Sequence, residues 1–274
     1  MKIEDLFNIE GKRFFITGGH TGVGKMIAEG VKENGGSVVI CGRRSALIQQ
    51  TSQELQCTGF TADISTDKGI QRCVDIVGKI DVLVNCAGVS YGSKFDLFTE
   101  EGWDTVMNTN LTSQFLLIQK FIPLMHGGTI INIGSTEGVV AFGTQQYSYN
   151  ASKKGLMSLS FQIQNEVNKY NINVNTLNLG PFESDMLRIL DESPEKDLKW
   201  IKEFNPQGKI GHKEDIIGPI IYLSSIAGEY VKGTTIEVSG GLTPYLGNYS
   251  TGRKYLDYEV REFRDISERQ FNES

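Results

Sequence analysis

The chain has 274 residues, 39% hydrophobic and 22% charged, with a formal net charge of -6. That length suits one large α/β domain, and the acidic balance argues against nucleic acid as a partner, which would call for a basic stripe. No stretch approaches the roughly 20 apolar residues of a membrane span, and Met1 to Glu10 carries Glu4, Asp5 and Glu10 in place of the basic start and apolar core of a secretory signal. The four cysteines (Cys41, Cys57, Cys73, Cys86) are scattered, which fits free thiols and a cytoplasmic location. His20, His126 and His212 are far apart and make no metal-ligand pattern, so no metal is expected.

In chain order, Arg13 to Thr17 reads as a buried strand, followed by a Gly-rich turn and a helix from about Val23 to Asn34. Ser37 to Cys41 is a second strand and Ser45 to Leu55 a helix. Val82 to Asn85 and Thr129 to Ile133 are short β-branched strands. Between them, Gly102 to Pro123 has helical spacing of Trp103, Val106, Leu111, Phe115, Ile118 and Ile122. Tyr147 to Tyr170 is a long helix, Ile172 to Leu179 a strand, and Thr235 to Val238 the last strand. Strands that are apolar throughout and separated by helices predict a doubly wound parallel sheet, a Rossmann-type α/β fold whose ligands bind beyond the carboxyl ends of the strands. Residues 1–242 are expected to form the dinucleotide-binding catalytic domain, with a helical lid at about 182–206. Residues 243–274, rich in tyrosine and charge, form a C-terminal extension.

Chemistry is concentrated at a few places. Tyr149 and Lys153 share one helical face, so a phenol and an ammonium group can reach one reacting atom and one cofactor, the arrangement that protonates a carbonyl oxygen while hydride arrives at carbon. Thr17-Gly18-Gly19-His20-Thr21-Gly22-Val23-Gly24 lies between a strand and a helix, where the backbone can approach a pyrophosphate. The second strand ends Cys41-Gly42-Arg43-Arg44. NAD binders place a carboxylate there for the adenosine ribose; two arginines suit a 2′-phosphate instead, so NADP(H) is the expected cofactor.

With these pieces the chain resembles the short-chain dehydrogenase/reductase family over about Leu6 to Gly241. The family's T-G-x-x-x-G-x-G is present at Thr17 to Gly24, its N-x-A-G at Asn85-Cys86-Ala87-Gly88, its helix Asn at Asn110, its strand-end serine at Ser135 and its Y-x-x-x-K at Tyr149 and Lys153. The resemblance implies Tyr149 as general acid, its phenol drawn down from a pKa of about 10 by Lys153 and the nicotinamide charge. Lys153 would also bind the nicotinamide ribose, Ser135 would hold the carbonyl oxygen, and Asn110 would hold a water that links Lys153 to solvent. It implies cofactor contacts from Gly18, His20, Thr21, Gly22, Val23, Arg43 and Arg44. Asp63 and Ile64 would flank the adenine, Asn85, Ala87 and Gly88 the nicotinamide side, with Gly180, Phe182 and Ser184 after the sixth strand. A homotetramer or homodimer, built on the two long helices, comes with the same resemblance.

Departures are visible too. Leu179-Gly180-Pro181-Phe182 replaces the usual Pro-Gly, and Ser184 stands where a Thr would hold the carboxamide. The spacing from Ser135 to Tyr149 is one residue longer than usual, which lets Thr136 compete for the serine's role. The Gly-rich turn, Arg43-Arg44 and the Gly-Pro-Phe turn look most like gluconate 5-dehydrogenases and rhamnolipid-type 3-oxoacyl reductases. The expected reaction is NADPH-dependent reduction of a small-molecule ketone or 3-oxoacyl carbonyl to the alcohol. Alternatives are a polyol or sugar-acid dehydrogenase and a catalytically silent NADP(H)-binding regulator. Tyr91, Glu137, Phe142 and Tyr147 fall near the expected substrate mouth, where an inward Glu137 would repel an anionic head group. Leu187, Leu190, Trp200 and Phe204 either cover an acyl chain or seat the lid helices.

Overall fold

Short runs of β-branched and aromatic residues alternate with amphipathic helices, and the pattern resolves into a parallel sheet covered on both faces. The computed structural model describes residues 1–125, 127–140, 144–190 and 198–243. Phe142, Asp191, Glu192, the side chains of Ile189, Leu190, Trp200 and Phe204, and the extension beyond Thr243 lie outside the described residues. The described elements are α1 (Ile3–Leu6), β1 (Arg13–Thr17), α2 (Gly22–Glu33), β2 (Ser37–Gly42), α3 (Ser45–Glu54), β3 (Thr58–Thr61), α4 (Asp67–Val77) and β4 (Val82–Asn85). They continue with α5 (Glu100–Met107), α6 (Ser113–Phe121), β5 (Gly128–Ser135), α7 (Tyr147–Val167), β6 (Ile172–Leu179), α8 (Asp185–Leu190), α9 (Lys199–Phe204), α10 (Lys213–Ser224) and β7 (Thr235–Val238).

The seven strands pair in the order β3-β2-β1-β4-β5-β6-β7, all parallel. The order reverses between β1 and β4, the switch point at whose carboxyl end open α/β sheets bind their ligands. Alternate side chains feed two cores. Phe15, Val39, Ile130 and Val174 pack under α4, α6 and α7, while Phe14, Ile16, Val38, Ile40 and Leu177 pack under α2 and α10. Phe14, Phe15 and Phe121 are wholly buried, and each contributes on the order of 2–3 kcal/mol from burial. Phe15 meets Phe121 at 5.2 Å and Phe60 at 6.2 Å between ring centroids.

The long helix expected over Gly102 to Pro123 is interrupted. A π-helical turn at Asn108–Thr112 separates α5 from α6, and π-turns of this kind re-aim a side chain within a helix. Sequence periodicity did not point to β3, α4 or α10. β3 places only Phe60 in the core, and α10 carries Gly218 and Pro219 inside the helix. Leu187 packs with Leu198, Ile201 and Ile210 into a small separate cluster, so among the described lid residues it seats the helices. No helix among the described residues is long and apolar enough to cross a membrane.

Candidate active site

Ser135 is the last residue of β5 and is 8% exposed. Its Oγ accepts the Glu137 N–H at 3.2 Å, which turns the chain into a 3-10 turn over Thr136–Gly138. Gly138 lets that turn pack flat on α7, since a Cβ there would lie 2.9 Å from the Lys154 nitrogen. Tyr149 sits in the first turn of α7, facing back to β5, with its phenol within hydrogen-bond reach of the Ser135 hydroxyl. Thr136 is buried in the turn, and it is Ser135 that contacts the phenol.

Lys153, one turn further on, is 4% exposed and donates to the Ile133 carbonyl at 2.7 Å. Its Nζ lies 5.6 Å from the centroid of the Tyr149 ring. Burial pushes the Lys153 ammonium down to about 8. Burial also pushes the Tyr149 phenol up to about 12, with the Ser135 hydrogen bond opposing it and the Glu137 and Cys86 charges adding to it. The expected lowering joined Lys153 with the nicotinamide charge; in the protein by itself burial dominates, and Lys153 gives its hydrogen bond to the β5 backbone. The result is a phenol that holds its proton at neutral pH.

Asn110 comes from the π-turn and is fully buried. Its Oδ1 accepts the Val89 N–H at 2.9 Å, and its Nδ2 donates to the Val89 carbonyl at 2.8 Å and to Ser152 Oγ at 3.2 Å. The side-chain amide is thus committed to the loop after β4 and to α7. Gly88 fits between them: a Cβ there would sit 3.3 Å from Asn110 Oδ1 and 3.7 Å from Lys153 Nζ.

The Gly-rich turn is tied to the β4 end by Thr17. Its Oγ1 accepts the N–H groups of Cys86 at 3.0 Å and Ala87 at 3.1 Å. Gly18 has φ +67°, and a Cβ on it would meet Ala87 Cα at 2.9 Å; Gly24 lies so close beneath Gly18 that a Cβ would strike its carbonyl oxygen at 2.3 Å. Gly22 and Val23 begin α2, whose first N–H groups have no partner within the helix. Sequence reasoning named the motif and overlooked Thr17 as its fastener; a hydroxyl at the strand end was the available signal.

Around β2, the His20 ring lies over Gly42 and is pushed down to about 4 by burial and the Arg44 charge. It is neutral at pH 7, and its Nε2 accepts from Arg44 Nε at 3.4 Å. Arg44 also donates to Thr21 Oγ1 at 3.0 Å and to Asp185 Oδ2 at 3.3 Å, joining the turn to the start of the lid. Arg43 is exposed beside it. These donors, the free α2 N–H groups and the lack of a carboxylate at position 42 fit a dinucleotide that carries a 2′-phosphate.

Other expected positions are less direct. Asp63 Oδ1 accepts from Ser65 N and Oγ at 3.0 and 2.7 Å, and the Ile64 side chain is in the core. Asn85 is buried and donates to Asn132 Oδ1 at 2.8 Å, so its side chain braces β4 against β5. The Phe182 ring is buried against Gly211, where a Cβ would lie 2.6 Å away. Gly180 is required by the close backbone of Ser239 at 2.8 Å, not by its own φ. Ser184 caps α8 by accepting the Leu187 N–H at 3.2 Å and abuts Gly22.

Tyr147, two residues before Tyr149, pairs edge-on with Phe95 and Phe98, and Phe98 with Tyr91, with ring centroids 4.9 to 5.5 Å apart. A cleft of about 580 Å³ lined by Phe182, Asn205, Lys209, Glu237 and Ser239 lies beyond the ends of β6 and β7, and Ser135, Tyr149 and Lys153 do not line it.

Comparison with known proteins places this geometry. The family described as "short chain dehydrogenase" matches residues 12–195. A rhamnolipid-biosynthesis 3-oxoacyl-[acyl-carrier-protein] reductase of Pseudomonas aeruginosa is 35% identical over 86% of this chain and 97% of its own length. A 2-dehydro-3-deoxy-D-gluconate 5-dehydrogenase of Dickeya dadantii is 36% identical over 87% and 98%. The structure of the Pseudomonas aeruginosa RhlG/NADP active-site complex superposes with a TM-score of 0.83 at 34% identity, covering 87% of this chain and 99% of that one. Motif order, sheet topology and these likenesses agree: the chain belongs to the short-chain dehydrogenase family and is an oxidoreductase.

Proposed function

We propose that this chain reduces a ketone or 3-oxoacyl carbonyl to the alcohol with NADPH, in the cytoplasm. The observation that carries the reading is the convergence of Ser135, Tyr149 and Lys153 at the carboxyl end of β5. Bound NADPH would supply the hydride. Ser135 then donates to the carbonyl oxygen and stabilises the charge that develops there. Tyr149, which keeps its proton at neutral pH, delivers it to the same oxygen. Lys153 steadies the phenolate left behind and offers its remaining donors to the ribose. Asn110 positions rather than reacts: it holds Val89 and Ser152, and so sets the spacing between the β4 loop and α7. Arg43, Arg44, Thr21 and the α2 N-terminus would hold the phosphates.

Residues 1–242 act as the catalytic domain, with the lid over 182–206 and the tail from 243 as an appendage. Trp103, Phe115 and Phe161, each about 40% exposed on α5, α6 and α7, suit a homotetramer or homodimer built on these helices. The gluconate-type relative favours one second reading, a polyol or sugar-acid dehydrogenase. A silent NADP(H)-binding regulator is disfavoured because binding alone needs neither the Tyr149 phenol nor Ser135. Oxidation of NADPH and NADH across a ketone panel tests the proposal, with Tyr149→Phe as control. We expect NADPH turnover that falls by about 10²- to 10⁴-fold in the variant; cofactor binding without turnover of any ketone would refute it.

A further inference from the structure

Glu137 is placed two residues after Ser135 and is bound to it through the backbone, its N–H donating to Ser135 Oγ at 3.2 Å. Its side chain is partly buried, accepts from Thr144 Oγ1 at 3.1 Å and bonds Asn150 on α7, the residue after Tyr149. Its charge is felt at the Tyr149 phenol. None of the ion pairs among the described residues involves it. A carboxyl drawn from water without a cation is expensive to keep, and neither the turn nor α7 needs a charge here: Thr144 and Asn150 are neutral.

We propose that Glu137 is a specificity-determining residue, whose negative charge beside the reacting carbonyl admits uncharged ketones, 3-oxoacyl esters and thioesters among them, and discriminates against substrates with a carboxylate near that carbonyl. The inference rests on the reductase reading and narrows it. A second feature agrees: Tyr147, two residues before Tyr149, carries an edge-on aromatic cluster with Phe95, Phe98 and Tyr91, Phe95 being 80% exposed, and such a surface suits an acyl or alkyl group better than a polyhydroxylated acid. Among the described residues facing Glu137, the turn contributes Ser135 and Thr136, the loop before α7 contributes Thr144, and α7 contributes Asn150 and Tyr149. Of these Tyr149 alone titrates, and beyond it stand Lys153 and Cys86. Burial pushes Glu137 up to about 7, so its charge is mostly absent at pH 5.5 and present at pH 8.

The test compares matched pairs, acetoacetate with methyl acetoacetate and 4-oxopentanoate with its methyl ester, by kcat/KM with NADPH from pH 5.5 to 8.5. Both acids stay largely ionised over that range, and rate effects common to both substrates cancel in the ester-to-acid ratio. Lys153, which itself titrates near 8, is present in the unaltered protein and in Glu137→Gln alike, so the Glu137 contribution is the difference between their ratios. The ratio should rise about tenfold or more from pH 5.5 to 8, as one charge acting on another across a partly buried site would require. In Glu137→Gln, which keeps an oxygen for Thr144, the ratio should be flat from pH 5.5 to 7, below the Lys153 titration, and lower than in the unaltered protein at pH 8. Equal turnover of acid and ester at pH 8, or a ratio that climbs as steeply in the variant as in the unaltered protein, would overturn the charge selection alone. Failure of every ketone, acids and esters included, would sink the reductase reading beneath it.

Discussion

The His20 imidazole fills the space that a side chain at position 42 would need: a Cβ on Gly42 would come within 2.3 Å of its Cε1 atom. The usual site for a ribose-reading carboxylate is thus closed by an aromatic ring from the neighbouring turn. The same ring, neutral because burial and Arg44 hold it down to about 4, accepts from Arg44 and steers its guanidinium. Cofactor choice follows from this pair. Replacing Arg43 and Arg44 together by Ala should raise the Kd for NADPH at least tenfold, since charge-assisted bonds to phosphate are worth about 1.5–3 kcal/mol. NADH binding, followed by fluorescence, should change little. Gly42→Asp alone should weaken both cofactors, because the carboxylate must first displace His20.

Glu137 makes a stability prediction that is independent of turnover. Its folded pKa is raised from 4.5 to about 7, so the folded protein retains a proton that the unfolded chain gives up. The associated stability is complete below pH 4.5 and is lost as pH rises through 7. Glu137→Gln cannot lose it. The melting temperature of the variant, relative to the unaltered protein, should therefore climb by a few degrees between pH 5 and pH 8. His20, which acts in the opposite direction in the acid range, is common to both and cancels. A constant offset would show that the carboxyl is ionised throughout.

Asn110 should matter to folding as well as to rate. Asn110→Ala removes the partners of both the Val89 N–H and its carbonyl in a site without solvent access. A loss of about 2–4 kcal/mol in denaturant unfolding is expected from two stranded backbone groups. Asn110→Asp keeps the acceptor for Val89 N–H and should recover part of it.

The helices that carry Trp103, Phe115 and Phe161 give a fourth measurement. Phe115→Glu with Phe161→Glu should reduce the mass in light scattering if those faces meet another copy, while the melting profile of the remaining unit stays cooperative. An unchanged mass would place the assembly elsewhere.

How far the sequence led depends on what each residue does. Tyr149 and Lys153 were readable because a helix fixes their separation, and Ser135 only through the family motif, because the apolar run stops at Ile133 while the strand runs on to Ser135. Strands β1, β4, β6 and β7 were legible to the residue, since each is bounded by polar or turn residues. The π-turn at Asn108–Thr112 was not legible, because one extra residue in a turn leaves the apolar spacing nearly unchanged. Asn85, Ile64 and Phe182 sit in the expected places, yet their side chains turn into the core or brace neighbouring strands. A motif gives position along the chain; it does not give the direction of a side chain, which packing decides. The His20–Gly42 contact joins two separate motifs and was invisible in either one.

Thr17 has a consequence for the shape of the crevice. One two-carbon side chain gathers the Cys86 and Ala87 amides, so the gap between the β1 and β4 loops is gauged by the length of a hydroxyl arm as well as by strand pairing. Thr17→Val would keep the bulk and remove the gauge, and the nucleotide slot should then widen without any loss of the sheet beneath it. Thr17→Ser, by contrast, keeps the arm.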